Sequence, residues 1–180
     1  IWNEADLDQQ PDRPKTNPFT WAGSIEEFHK FYEVAAKHLK KCFPNLKIGG
    51  PSYCRILTGQ TFFPQFFEYM RAHEVPIDFV TWHKYDVEPA FYVKEAYMLR
   101  DWMKEYGYEN AELFLTEWNY WQLKKDGAES SYEYYNFETR LGIKGGAFVG
   151  AVMCAMQDAP VDMLMYYDFR VNVDSFCGFY

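Results

Sequence analysis

No two of the four cysteines, Cys42, Cys54, Cys154 and Cys177, stand at Cys-x-x-Cys spacing, and no paired-histidine spacing accompanies them. That excludes the common zinc cages and a dense disulfide framework, and the thiols read as ordinary core residues. No run of about eighteen apolar residues occurs, so no membrane-spanning helix is expected. Positive charge is the minority: 18 Lys and Arg stand against 26 Asp and Glu, for a net charge of -8. Such a field repels a phosphate backbone or an anionic lipid surface, so neither nucleic acid nor membrane is expected as a partner. A Gly-x-Gly-x-x-Gly turn and a phosphate loop are also lacking, which removes the main reason to expect a doubly wound nucleotide-binding fold.

Aromatic residues, by contrast, are abundant. Six Trp, fifteen Tyr and sixteen Phe make up 21% of the 180 residues. Many stand beside polar residues, a setting that suits sugars, whose rings present an apolar face and a hydroxyl rim. An aromatic-rich core produces the same composition. With 48% hydrophobic and 24% charged residues, the chain is expected to form one globular domain over 1–180. Ile1-Trp2-Asn3-Glu4 is not a charged leader, and reads as the interior of a fold whose earlier strands precede Ile1.

The pattern alternates strand and helix. Residues 5–23 read as a long loop. Ser24 and Glu27 form a capping box before a helix to Cys42, with Phe28, Phe31, Tyr32 and Ala35 on its core stripe, and His29 and His38 structural or exposed. Lys47–Pro51 is a short strand closed by a Gly-Pro break, and a helix covers Phe62 to His73. Ile77–Trp82 is a strand that delivers His83 and Tyr85 at its end. Ala90–Tyr106 is a helix stopped at Gly107, Glu112–Thr116 a strand ending at Glu117, Ser131–Met156 a bent helical stretch, and Met163–Tyr167 the last strand. Five strands joined by helices predict a parallel sheet and, without a nucleotide motif, a (β/α)8 barrel of which the last five strands, fourth to eighth, are present. Two unpaired barrel edges predict self-association into homo-oligomers.

Polar and aromatic residues gather where these strands end, on the face that carries barrel active sites. Two glutamates stand out, Glu4 after Trp2-Asn3 and Glu117 before Trp118-Asn119. Each alone reads as a solvated or salt-bridged residue; on one barrel face they form the pair that glycoside cleavage needs, one carboxyl to protonate the leaving oxygen and one to assist at the anomeric carbon. His83 fits either a contact to a sugar hydroxyl or to Glu117, or a backbone-satisfied histidine. Tyr85 is placed to hydrogen-bond Glu117. Trp118 fits a subsite wall or strand-helix packing, Asn119 a sugar contact or a turn cap, and Phe19 and Trp21 either line the leaving-group side or pin the loop.

Ile1-Trp2-Asn3-Glu4-Ala5-Asp6, Lys47-Ile48-Gly49-Gly50-Pro51, Asp78-Phe79-Val80-Thr81-Trp82-His83-Lys84-Tyr85 and Leu115-Thr116-Glu117-Trp118-Asn119 resemble, in order, the fourth to seventh strands of glycoside hydrolase family 39, the clan A family of β-xylosidases and α-L-iduronidases. The resemblance implies Glu4 as general acid/base, Glu117 as nucleophile, and Asn3, His83, Tyr85, Trp118, Asn119 and Tyr167 as substrate-binding residues. Asn3 would face a sugar 2-hydroxyl, and Tyr167 stands where the family often has a tryptophan platform. Ala5 departs from the family's proline. The reaction implied is retaining hydrolysis of an oligosaccharide or aryl glycoside, of exo-acting β-xylosidase type, with no metal and no organic cofactor. An endo-glycanase or iduronidase-like enzyme of the same clan is the alternative, and a non-catalytic carbohydrate-binding protein or inactive fragment the reading from a different class.

Overall fold

The structure, a computed structural model, describes residues 1–9, 18–57, 62–122 and 139–168. Helix α1 spans Ile25–Cys42. Its expected capping box is present: the Glu27 amide donates to Ser24 Oγ at 3.2 Å and the Ser24 amide to Glu27 Oε2 at 2.8 Å. Phe28, Tyr32 and Ala36 are buried along it. Phe31, expected in the same stripe, lies instead at the rim, where it packs on Trp2 and Trp21. His29 is buried, with Nε2 3.2 Å from the Tyr53 hydroxyl.

Four strands follow: β1 Gly49–Tyr53, β2 Phe79–Asp86, β3 Glu112–Tyr120 and β4 Met163–Tyr166. They form one parallel sheet in the order β1-β2-β3-β4. The crossovers carry α2 Phe62–Ala72, α3 Pro89–Glu105 and α4 Ile143–Ala155. Parallel neighbours require such connections, which cover one face of the sheet with helices.

The sequence anticipates five strands, and the first differs. Residues 1–4 run beside β1 and bond to it through the Ile1 nitrogen to Gly49 O and the Glu4 amide to Ser52 O, both at 3.1 Å. Left-handed φ angles of 69° at Trp2 and 46° at Glu4 break the extended conformation between those bonds. The expected Gly-Pro stop after the second strand is also absent, because β1 continues through Pro51 to Tyr53. Gly49 earns its place there: a Cβ would stand 2.1 Å from the Phe79 carbonyl oxygen. The expected helical start at Ser131 lies outside the described residues.

β2 and β3 each run about four residues beyond their expected ends, and this sets up the site. Along β3, Leu113 and Leu115 face the helices and are buried. Glu117 shares their parity and would also point that way in a regular strand. The register with β2 shifts between Leu115 and Glu117, leaving Thr116 as a bulge. One extra residue reverses the alternation. Glu117 therefore pairs with His83 on the inner face, while Trp118 and Tyr120 turn to the helix layer against Tyr92 and Phe148.

The main core lies between sheet and helices. Phe63, Phe66, Phe67 and Met70 of α2 and Tyr92, Leu99 and Met103 of α3 meet Val80, Trp82, Leu113 and Leu115. On the opposite face Phe79 stacks on Phe114 at 5.1 Å, and Met163 and Met165 stay 45% and 40% exposed.

Candidate active site

Glu4, His83 and Glu117 meet above the inner face of the sheet. His83 Nδ1 lies 2.7 Å from Glu4 Oε1 and 3.5 Å from Glu117 Oε2. The imidazole is 2% exposed, and the two carboxylates 15% and 24%. One oxygen of each glutamate and the His83 nitrogen all fall within 4.8 Å of one another. Tyr85, two residues along β2, donates its hydroxyl to Glu117 Oε2 at 2.9 Å.

The electrostatics of the pair are uneven. Burial pushes the Glu117 carboxyl above the ordinary glutamate range; the charge on His83 and the Tyr85 hydrogen bond work against that, and the Glu4 charge adds to it. Among the described residues this trio is also the place where a cation's ligands are gathered. The imidazole and the tyrosine hydroxyl already bring polar hydrogens to both carboxylates there.

Glu4 is mounted without a regular strand. Its left-handed backbone, matched by Ser52 at φ 58°, is a conformation that non-glycine residues adopt at a cost and that gathers at functional sites. Thr20 Oγ1 is 2.7 Å from the Glu4 carbonyl oxygen and 2.9 Å from Asp8 Oδ2. Asp8 Oδ2 also accepts from the Trp21 amide at 3.0 Å. Burial works to raise the Asp8 pKa, but the Thr20, Phe19 and Trp21 amides and the Thr20 hydroxyl outweigh it and hold it down to about 2. Asp6 is fully buried and accepts from the amides of Cys54 and Arg55, at 3.0 and 2.7 Å, joining the exit of Glu4 to the exit of β1. Burial, opposed by those amides and helped by the Glu4 charge, raises the Asp6 carboxyl to about 7.

The other expected residues divide. Asn3 is exposed next to Glu4 and lines, with Trp2, Phe19 and Thr20, a hollow of about 360 Å³. Trp118 is not brought to the cluster: it is 2% exposed and packs edge-on against Tyr92 and Tyr166 on the helix side, where the bulge sends it. Asn119, 1% exposed, donates to the Tyr167 carbonyl at 2.7 Å and accepts from the Tyr166 hydroxyl at 3.2 Å, tying β4 to β3. Tyr167 is half-buried at the end of β4, its amide donating to Trp118 O at 3.1 Å. Trp21 pins the loop by donating to Ser24 O at 2.9 Å and by packing on Phe28 and Phe31. Asp6, Asp8 and Thr20 did not stand out in the sequence beyond their place in an acidic loop.

A parallel sheet with helical crossovers, and with its polar cluster at the strand ends, is part of a (β/α)8 barrel. The profile of the glycosyl hydrolases family 39 matches residues 1–161, and the chain belongs to that family. It is 33% identical over 91 residues to a beta-xylosidase of Caldicellulosiruptor saccharolyticus, an alignment covering 51% of this chain and 16% of that protein. A beta-xylosidase of Geobacillus stearothermophilus is 31% identical over 85 residues, 47% of this chain and 15% of that one. Among solved structures, a glucosidase from Croceicoccus marinus superposes with a TM-score of 0.65 at 27% identity over 86% of this chain and 31% of its own. A monomeric beta-xylosidase from Caulobacter crescentus gives 0.67 at 19% identity over 92% and 32%, a likeness of fold. The chain thus spans under a third of the length of these relatives.

Proposed function

We propose that Glu4 and Glu117 are the catalytic pair of a retaining glycoside hydrolase that works by double displacement, of exo-acting β-xylosidase type. The observation that carries this is the approach of the two carboxylates to within 4.8 Å around a shared histidine. Retaining enzymes hold their carboxyl groups about 5–5.5 Å apart, and inverting ones leave about 6.5–9.5 Å for a water. In the first step Glu117 attacks the anomeric carbon while Glu4 gives a proton to the leaving oxygen. In the second, Glu4 takes the proton from a water that displaces Glu117. Tyr85 favours the ionised nucleophile, and His83 holds both carboxylates in register. Asn3, beside Glu4, serves the sugar 2-hydroxyl, and Tyr167 the glycone wall.

A neutral sugar suits the site better than a uronic acid. Lys84, the one basic residue among the strand-end motifs, points to the helix layer, where its Nζ lies 2.9 Å from Glu95 and 3.0 Å from Asp86. The beta-xylosidases among the relatives favour xylose as the glycone.

The test is incubation of the protein carrying this chain with 2-deoxy-2-fluoro-β-xylosyl fluoride, followed by peptide mass spectrometry. A 2-fluoroxylosyl ester on Glu117 is expected. An ester on another carboxylate, or turnover with inversion of the anomeric centre, would overturn the assignment.

A further inference from the structure

We infer that Tyr92 of α3 is a positioning residue for the catalytic pair: from the helix side of the sheet, its buried hydroxyl ties the extended ends of β2 and β3 together and so sets the bond between Tyr85 and Glu117. The inference rests on the catalytic reading above and extends it to a side chain on the opposite face of the sheet. Its first support is a set of three bonds made by one atom. The Tyr92 hydroxyl shares its hydrogen between Asn119 O at 3.0 Å and Lys84 O at 3.3 Å, and accepts from the Asp86 amide at 3.2 Å. Lys84 and Asp86 flank Tyr85 in β2, and Asn119 is the register partner of Tyr85 in β3. One hydroxyl therefore holds the backbone on both sides of Tyr85, together with the strand that carries Glu117 two residues earlier.

The strands need such a tie at this level. β1 pairs with β2 as far as Trp82, so from His83 onward β2 has β3 as its one ladder partner among the described residues. A two-stranded ribbon is marginal by itself, and α3 supplies the third hold. That hold is firm: Tyr92 is fully buried, its ring set edge-on against Trp118 at 6.2 Å and Phe148 at 6.0 Å. Burial pushes its hydroxyl pKa well above the tyrosine range, so the tie keeps its hydrogen at any ordinary pH. One turn further along α3, Glu95 holds Lys84 Nζ at 2.9 Å, a second grip by the same helix on the same stretch of β2. What both grips steady is the 2.9 Å bond from Tyr85 to Glu117 Oε2, which opposes the rise that burial imposes on that carboxyl. A hydrogen bond weakens steeply as it bends or lengthens, so slack between the strand ends would reach the nucleophile.

The experiment reads the acid limb of the kcat/KM profile on β-xylosyl fluoride in the protein carrying this chain. Fluoride leaves without an acid's help, so that limb reports Glu117. Tyr92→Phe keeps the ring and removes the hydroxyl. The limb is expected to move to higher pH, in the direction of Tyr85→Phe, with a loss of about threefold at the acid end. The double variant Tyr85→Phe, Tyr92→Phe should move no further than Tyr85→Phe alone. Tyr108→Phe removes a hydroxyl that donates to Val75 O at 3.3 Å near the N-terminal ends of the strands, and should lower stability while leaving the limb in place. The position of the limb is read and not its height, so a partly unfolded variant still reports. A Tyr92→Phe limb at the wild-type position, or a shift that adds in full to that of Tyr85→Phe, overturns the positioning role and leaves the catalytic pair standing. A wild type inactive on β-xylosyl fluoride overturns the catalytic reading and this inference with it.

Discussion

The two glutamates reach one site by different means. Glu117 sits inside a nine-residue strand paired on both sides, and a single bulge turns it inward. Among the described residues, Glu4 sits on a segment joined to β1 by two backbone bonds, and is held by carboxylates that grip backbone amides. A ladder places a side chain through many weak, redundant bonds. A clamp does so through a few charge-assisted ones whose strength depends on pH. The fold therefore mounts one carboxylate rigidly and the other on groups that titrate.

The largest effects fall on the glutamates themselves and separate their roles. Glu117→Gln should lower kcat on every substrate by about 10⁴-fold or more, as removal of a nucleophile does. Glu4→Gln should lower kcat/KM on xylobiose by about 10²- to 10⁴-fold, and that on β-xylosyl fluoride, which needs no proton on its leaving group, far less, because the later water step that uses Glu4 as base does not enter kcat/KM. Steady-state kinetics on both substrates checks this. Equal losses on both for Glu4→Gln would remove the distinction between the mounts' functions.

Tyr85→Phe breaks the hydrogen bond that favours ionised Glu117. Removing a donor to a carboxylate raises its pKa, so the acid limb of the kcat/KM profile should move to higher pH than in the wild type, with a loss of about tenfold at the acid end. A profile unshifted in position, with lower amplitude only, would mean that Tyr85 acts through packing.

How much of this could be read beforehand follows from the same contrast. The capping box at Ser24 and Glu27 uses residues three apart, and Glu4, His83, Tyr85 and Glu117 sit in recognisable strand-end motifs. Lys84, Tyr85, Glu117 and Asn119 are polar and polarity suggests an end, so the sequence predicts β2 and β3 each about four residues short. In the fold Lys84 makes an ion pair on the helix side, Tyr85 and Glu117 meet at the site on the other, and Asn119 ties β3 to β4. The bulge at Thr116 leaves one trace, the change of apolar phase from Leu113 and Leu115 to Trp118 and Tyr120, which sets Trp118 on the helix side of the sheet. Asp6 and Asp8 read as loop acids because their partners are distant: Asp6 meets Cys54 and Arg55, 48 and 49 residues away.

The clamps themselves should show opposite pH signatures. Asp8 is held down to about 2, so its contribution to stability, about 1–2 kcal/mol, is present above the ordinary aspartate pKa and lost as pH falls through about 2. The gap in unfolding free energy between wild type and Asp8→Asn should close over that window. Asp6 is raised to about 7, so the folded state holds a proton that the unfolded chain gives up, and wild-type stability should fall as pH rises from about 4 to about 7. Asp6→Asn should lack that fall. Denaturant titrations across pH 2–8 measure both; parallel curves for the three proteins would deny that Glu4's mount titrates.

The smallest change is at Thr20, where one hydroxyl stands between the Glu4 carbonyl and the Asp8 carboxylate. Thr20→Val keeps the shape and removes the donor, leaving a carbonyl and a carboxylate oxygen to face each other. A hydrogen bond of this kind contributes about 0.5–1.5 kcal/mol, so thermal unfolding should shift down by a few degrees. If the clamp only stabilises the fold, kcat on xylobiose will match wild type at temperatures where both are folded. If it also aims Glu4, kcat/KM should fall about threefold on xylobiose and not on β-xylosyl fluoride, because bond cleavage needs the proton only in the former. Thr20→Ser, which keeps the hydroxyl and loses a methyl group, should recover the xylobiose rate. A valine variant that is slower on both substrates alike would place the lesion in the fold and return Glu4's aim to its backbone conformation and the bond to Ser52.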